Sequence, residues 1–159
     1  MVSLPTAPRR DIAVLAALLV LCVGGGAAIG LAFAGQSATY QQYDLPSWAP
    51  PSWLFGPVWT LLYTLMAVSA WMVWREAGPY RSRALTAFGI QLALNFAWTP
   101  AFFGADNPTL GLAVIVGVLV AVGWWTFEAW RVRRLAGMLQ VPYVAWVGFA
   151  TALNAAIAF

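Results

Sequence analysis

Long apolar runs separated by short polar links dominate the chain, at residues 12–34, 52–74, 84–103, 109–130 and 135–159. Each is near the ~20 residues that a helix rising ~1.5 Å per residue needs to cross ~30 Å of hydrocarbon. The pattern predicts an all-α integral membrane protein: a five-transmembrane-helix bundle with a structured loop between helices 1 and 2. No linker, charge run or low-complexity tract divides the chain, so residues 1–159 are expected to form a single membrane domain. The first run has the flanking arginines and small residues of a secretory signal. At 23 residues it exceeds the ~7–15 of a signal's apolar region, so a retained span is expected. Gly26 and Gly30 within it have the spacing of a close helix contact.

Polar residues inside these runs are few and regularly placed. Gln91, Asn95 and Thr99 fall at i, i+4 and i+8 with Trp98 beside them; Tyr143, Trp146, Ala150 and Asn154 share a face of the last run; Trp59 and Tyr63 share one in the second. Pro57 is expected to kink that second helix. Amides in hydrocarbon must find a partner or a ligand. The three faces therefore predict either a common aromatic pocket or interhelical hydrogen bonds with packed rings. The one long connection, residues 35–51, is too polar to cross and carries Tyr40, Tyr43 and Trp48. Its end, running through Pro46, Trp48, Pro50 and Pro51 to Trp53, predicts a stiff extended lid leading into the second helix, or an interfacial aromatic anchor.

Composition sharpens the class. With 62% apolar and 8% charged residues and a mean hydropathy of +0.78, a soluble fold would expose far more hydrocarbon than its surface tolerates. All eight arginines lie in the amino-terminal segment and the 75–83 and 131–134 links, whereas the opposite links carry only Asp44 and Asp106. The positive-inside bias then predicts a cytoplasmic amino terminus and an external carboxyl terminus. The basic balance reflects topology; no nucleic-acid partner is expected. Trp71, Trp74, Trp124, Trp125 and Trp130, near the arginines, read as an aromatic belt at that membrane face. Glu76 and Glu128 read as solvated or paired with those arginines.

Ten tryptophans stand against no histidine, no lysine and one cysteine, Cys22. That excludes zinc clusters, imidazole bases, serine–histidine–aspartate arrangements and bis-histidine haem sites, and no metal is expected. No phosphate-binding glycine loop is present. The residue types point to a membrane receptor for a flat apolar ligand, sandwiched by indoles and oriented by Gln91, Asn95 and Asn154.

Three segments in order resemble the TspO/MBR family, the tryptophan-rich sensory proteins related to the translocator protein or peripheral benzodiazepine receptor. They are Tyr40 with Pro46 to Trp59 and Tyr63; Gln91 to Phe103 through Asn95, Trp98 and Pro100; and Val141 to Asn154 through Tyr143, Trp146 and Ala150. The resemblance implies a five-helix bundle, commonly a homodimer, in a bilayer, with a bacterial cytoplasmic membrane as the expected location. It implies a pocket for porphyrins such as protoporphyrin IX or haem, for sterols and for benzodiazepine-type ligands, with no cofactor required. Some bacterial members degrade protoporphyrin IX in light through pocket tryptophans, a catalytic role that falls here on Trp59 and Trp146. The implied ligand-binding residues are Tyr40, Trp48, Trp53, Trp59, Tyr63, Gln91, Asn95, Trp98, Tyr143, Trp146, Ala150 and Asn154. Other readings are a carrier of porphyrins or apolar ligands, and a regulatory scaffold without turnover. Two positions depart from the family pattern: Thr39 replaces a tryptophan before the loop tyrosine, and Leu45 replaces a lysine before the loop proline. Lid contacts to a ligand's carboxylates are the feature these changes put in question.

Overall fold

The computed structural model describes residues 7–36 and 40–159, and these are helical with no strand among them. The helices are α1 (Ala7–Leu19), α2 (Gly25–Ala32), α3 (Phe55–Arg75), α4 (Arg81–Thr99), α5 (Pro108–Val132), α6 (Arg134–Met138) and α7 (Val141–Ala158). A π-helical turn, Val20–Gly24, joins α1 to α2, and a second, Pro100–Gly104, extends α4. Five long helical stretches result among the described residues. Four are long and apolar enough to cross a membrane: Arg9–Ala32, Ser52–Arg75, Pro108–Val132 and Arg134–Ala158. The third run in chain order, α4 with its π turn, carries Arg81, Ser82, Arg83, Thr86, Gln91 and Asn95, which lower its apolarity. Its amides Gln91 and Asn95 are nevertheless buried inside the bundle. Thr39 lies outside the described residues.

Proline and asparagine set the helix ends. Asn107 caps α5, its side chain accepting from the Leu110 amide at 2.9 Å, and Pro108 follows where a missing N–H costs nothing. Pro57 is the third residue of α3, inside its first turn, so the expected kink is replaced by a helix that simply starts there. Pro100 does not stop α4: lacking an N–H, it widens the ladder into a π turn closed by the Ala105 amide on the Pro100 carbonyl at 2.9 Å. The loop before α3 also differs from a uniformly extended lid. It turns at Pro46 to Ala49 (N···O 2.9 Å) and is extended at Pro51, which leads into a short 3₁₀ turn, Ser52–Leu54.

The core runs down the axis as Leu62, Met66, Ala67, Ala70 and Val73 of α3 against Ala84, Ala87, Phe88 and Leu92 of α4, Ile115, Val118, Val122 and Trp125 of α5, and Tyr143 and Val147 of α7. α5 is the central helix, packing most extensively on α4 and then on α7. Small residues let the helices close up. A Cβ at Gly137 would lie 2.8 Å from the Trp130 backbone, so the α5–α6 corner requires glycine. One residue of the expected belt belongs to this core instead. Trp125 is fully buried, stacks 5.3 Å from Phe88 and donates its indole N–H to Gln140 at 3.0 Å. Trp71, Trp74 and Trp124 are half-buried, and Trp130 is exposed. Glu128 is buried rather than solvated, held by Arg83 at 2.8 Å.

Candidate functional site

Residues four apart on α3 and α4 bring their polar groups to one level of the bundle. The Tyr63 hydroxyl donates to Asn95 Oδ1 at 2.6 Å, and Asn95 Nδ2 donates to the Tyr143 hydroxyl at 2.8 Å. Tyr143 donates to Gln91 Oε1 at 2.9 Å, and Gln91 Nε2 points at Met66 Sδ at 3.6 Å. The helices α3, α4 and α7 are thus tied by a chain of neutral groups. A second tie lies one level higher: Trp98 Nε1 donates to Asn154 Oδ1 at 3.0 Å, and Asn154 Nδ2 donates to the Pro108 carbonyl at 2.9 Å. Gln91, Asn95 and Asn154 are engaged chiefly with their own protein.

Two adjoining cavities lie beside these ties. The first, 280 Å³, is bounded by Gly26 and Gly30 of α2, Trp59 and Tyr63 of α3, and Asn95, Phe96 and Trp98 of α4. The second, 230 Å³, lies between Tyr40 and Phe55 on one side and Trp98, Phe102, Ala150 and Asn154 on the other. They share Gly30, Phe55, Trp59, Trp98 and Thr99, and no ionisable Asp, Glu or Arg borders either. Together they fall within the roughly 300–1,000 Å³ of small-molecule pockets. Trp59, one of three rings common to both, stands 5.4 Å from Tyr63 and 6.2 Å from Tyr143.

The other expected residues occupy distinct places. Tyr40 is buried, meets Phe55 edge-on at 5.5 Å and caps the second cavity. Burial pushes its phenol above the usual range. Trp146 borders neither cavity; it sits behind Phe55 at 5.9 Å, and its indole N–H is buried without an acceptor among the described residues. Gln91 and Tyr143 sit behind the wall formed by Tyr63 and Asn95. Trp48 packs on Phe149 at 5.7 Å and is half exposed, while Trp53 is 69% exposed and faces away from the cavities. The anchor reading fits Trp53 and the lid reading fits Tyr40.

Two contributions were not visible in the chain. The π turn before α2 and the α2 face supply Val23, Gly26, Ala27 and Gly30 to the first cavity. The spacing of Gly26 and Gly30 was the available signal, but only Gly26 makes a close contact: a Cβ there would collide with the Tyr63 ring, whereas one at Gly30 meets nothing within 4 Å. The second is a latch across the loops. The Tyr43 hydroxyl donates to Asp106 Oδ1 at 2.7 Å, and the Tyr43 ring meets Phe102 at 5.6 Å. Asp106 is held at φ +46°, a left-handed conformation that aspartate tolerates better than most residues. Burial, then the hydrogen bond and charge of Asp106, push the Tyr43 phenol up to about 12.

Comparison with known proteins bears on what such a site is for. The family model of the TspO/MBR family matches residues 17–159. The chain is 41% identical over 118 residues to the translocator protein of Homo sapiens, covering 72% of this chain and 70% of that one. It is 39% identical over 142 residues to the tryptophan-rich protein TspO of Archaeoglobus fulgidus, covering 88% and 90%. It is 39% identical over 117 residues to the tryptophan-rich sensory protein of Cereibacter sphaeroides, covering 72% of each.

Proposed function

The chain belongs to the TspO/MBR family, and from that membership we propose that it is a five-span membrane receptor that senses a flat tetrapyrrole, protoporphyrin IX or haem. α4 with its π turn is the span that apolarity alone does not mark, because its polar face is turned inward. The arginine-bearing end faces the cytoplasm and the Tyr43–Asp106 end faces outward. The observation that carries the reading is Trp59: its indole borders both cavities, with Phe55 and Trp98 also shared and no charged group between them. A planar ring spanning the two cavities meets aromatic faces, a favourable arrangement beyond the apolar area it buries. With Leu45 in the loop and no cation in the walls, the propionates of a porphyrin are directed out of the cavity rather than paired inside it.

Light adds chemistry to binding in this proposal. An excited porphyrin takes one electron from the Trp59 indole and passes it to dioxygen as superoxide; the indole radical cation then takes one electron from the porphyrin, restoring the indole, and superoxide adds to the porphyrin radical cation, so that porphyrin and dioxygen together become an oxygenated, bleached ring. Trp146, one ring further out behind Phe55, is the second donor. The test is protoporphyrin IX titrated into the purified protein in detergent, followed by tryptophan fluorescence in darkness and porphyrin absorbance under light. Saturable quenching is expected, weakened in Trp59→Phe, with bleaching slowed more in Trp59→Phe than in Trp146→Phe. Saturable binding without protein-dependent bleaching leaves the receptor and removes the photochemistry. Equal behaviour of both variants and the wild type in darkness and light favours a scaffold whose aromatic rings only pack.

A further inference from the structure

We propose that the arginine-bearing end of the bundle carries a site for the phosphate of an anionic phospholipid, held by Arg10 and Arg81 beside Trp74. That end holds all eight arginines but only three carboxylates, Asp11, Glu76 and Glu128, because Asp44 and Asp106 belong to the opposite end. Each of the three is already taken: Asp11 by Arg75 at 3.0 Å, Glu76 by Arg133 at 3.3 Å, and Glu128 by Arg83 at 2.8 Å with Arg131 at 3.6 Å. Arg10 and Arg81 have no carboxylate within 4.0 Å among the described residues, and no acidic residue at their end remains to serve them.

These two guanidinium groups converge on one ring. Arg10 Cζ is 5.6 Å and Arg81 Cζ 5.8 Å from the centre of Trp74, in the last turn of α3. The convergence is built in. One turn earlier, Trp71 donates its indole N–H to the Asp11 carbonyl at 3.0 Å, and Arg75 both pairs with Asp11 and lies 4.7 Å over Trp71. That fastening fixes α1 against α3 at the level of Arg10. Two like charges gathered on one indole repel one another unless an anion lies between or beside them.

The adjoining surface says which anion. An open groove beside Arg81 is lined by Gly78, Ser82, Leu85 and Thr86. The Thr86 hydroxyl is used on the Ser82 carbonyl at 3.0 Å, while the Ser82 hydroxyl has no partner among the described residues. The groove thus sets guanidinium and hydroxyl donors next to Leu85, one turn further along α4. A phosphodiester takes the planar, bidentate fork of arginine. Leu85 and Trp74 then receive the start of an acyl chain, which inorganic phosphate lacks. Arginines at the cytoplasmic surface of a span favour net-negative lipids over zwitterionic ones by a field of the same origin. Arg134 also lacks a carboxylate within 4.0 Å among the described residues, but shares no ring with another arginine, and so serves as the control.

The experiment is native mass spectrometry of the delipidated full chain in detergent, offered phosphatidylglycerol and phosphatidylcholine in equal amounts. The wild type is expected to retain phosphatidylglycerol preferentially, and Arg10→Gln/Arg81→Gln to lose that preference about thirtyfold, at ~1 kcal/mol per arginine. Arg134→Gln is expected to keep it. If the double variant shows no cooperative melting, Arg81→Lys replaces it, keeping the charge but losing the fork, and is expected to lose part of the preference. Equal retention of the two lipids by the wild type overturns the proposal, as does an unchanged preference in the Arg81 variants or an equal loss in Arg134→Gln. Displacement of the lipid by millimolar inorganic phosphate also overturns it, since a free anion would then satisfy the site. None of these outcomes depends on the tetrapyrrole cavity.

Discussion

Asn95 shows how much a single amide can be asked to do inside a membrane. It accepts from Tyr63 and donates to Tyr143, so removing it leaves two hydroxyls on different helices short of a partner. Asn95→Ala is expected to cost about 1–3 kcal/mol, seen as a lower melting temperature in detergent, because buried polar groups lose their partners outright. A second residue-scale contrast separates two glycines one turn apart. Gly26→Ala drives a methyl into the Tyr63 ring and should lower porphyrin affinity severalfold, whereas Gly30→Ala meets open space and should leave it nearly unchanged. Dark fluorescence titrations decide this; equal effects of the two would mean that Tyr63 does not shape the site. Ala150 borders the second cavity, so Ala150→Thr narrows it and should weaken the same titration. Pattern alone grouped Tyr63, Asn95 and Tyr143, because positions four apart share a helix face. It left open whether the amides hold helices or ligand, since that depends on distances between helices.

Among the elements, the connection before α3 and the π turn after α4 meet through Tyr43 and Asp106. The phenol proton is held more tightly folded than unfolded, with the folded value pushed up to about 12 against an ordinary value near 10. The stability contributed is therefore fully present below pH ~10 and lost as pH rises toward 12. Melting temperature measured from pH 9 to 12 should fall more steeply for the wild type than for Tyr43→Phe. At neutral pH the same substitution should speed ligand release by freeing the loop over the second cavity. At the other end, Glu128 is fully buried while its partner Arg83 is largely exposed. Arg83→Ala leaves a buried carboxylate with only the Trp124 indole N–H at 3.3 Å and the longer Arg131 contact, and should destabilise more than Glu128→Gln, which removes the charge itself. Thermal melts of the two variants test the order. Helix existence was legible from the runs, but the start of α3 was not: Pro57 reads as a kink, and only the observed helix puts it in a first turn. Nor were the π turns: the run 84–103 passes through Pro100 without marking any change in helix type, which the backbone makes at Pro100–Gly104.

For the whole molecule, membership of the TspO/MBR family and a membrane-embedded all-helical chain follow from apolar length, arginine placement and three aromatic motifs. Those are properties of the chain itself, because the bilayer demands ~20 apolar residues per crossing and satisfies backbone groups only within helices. In the proposed five-span arrangement the termini lie on opposite faces. A single cysteine added beside Arg134 should react with a membrane-impermeant maleimide only after the membrane is opened, and one added in place of Asp106 should react in intact cells. Labelling of both in intact cells would remove that topology. The apolar periodicity of the last two helices could not say that Trp125 belongs to the core and Trp130 to the surface, because adjacent turns of a wholly apolar helix look alike until a neighbour covers one of them. Nor could it separate Trp59, which borders both cavities, from Trp146, which sits behind Phe55. Sequence by itself determined the class of solvent, the helical runs, the links in which the arginines gather and the set of aromatic residues. Tertiary structure alone decided which rings face a cavity, which amides are spent on one another and which arginines are left without a carboxylate, because each depends on contacts between helices far apart in the chain.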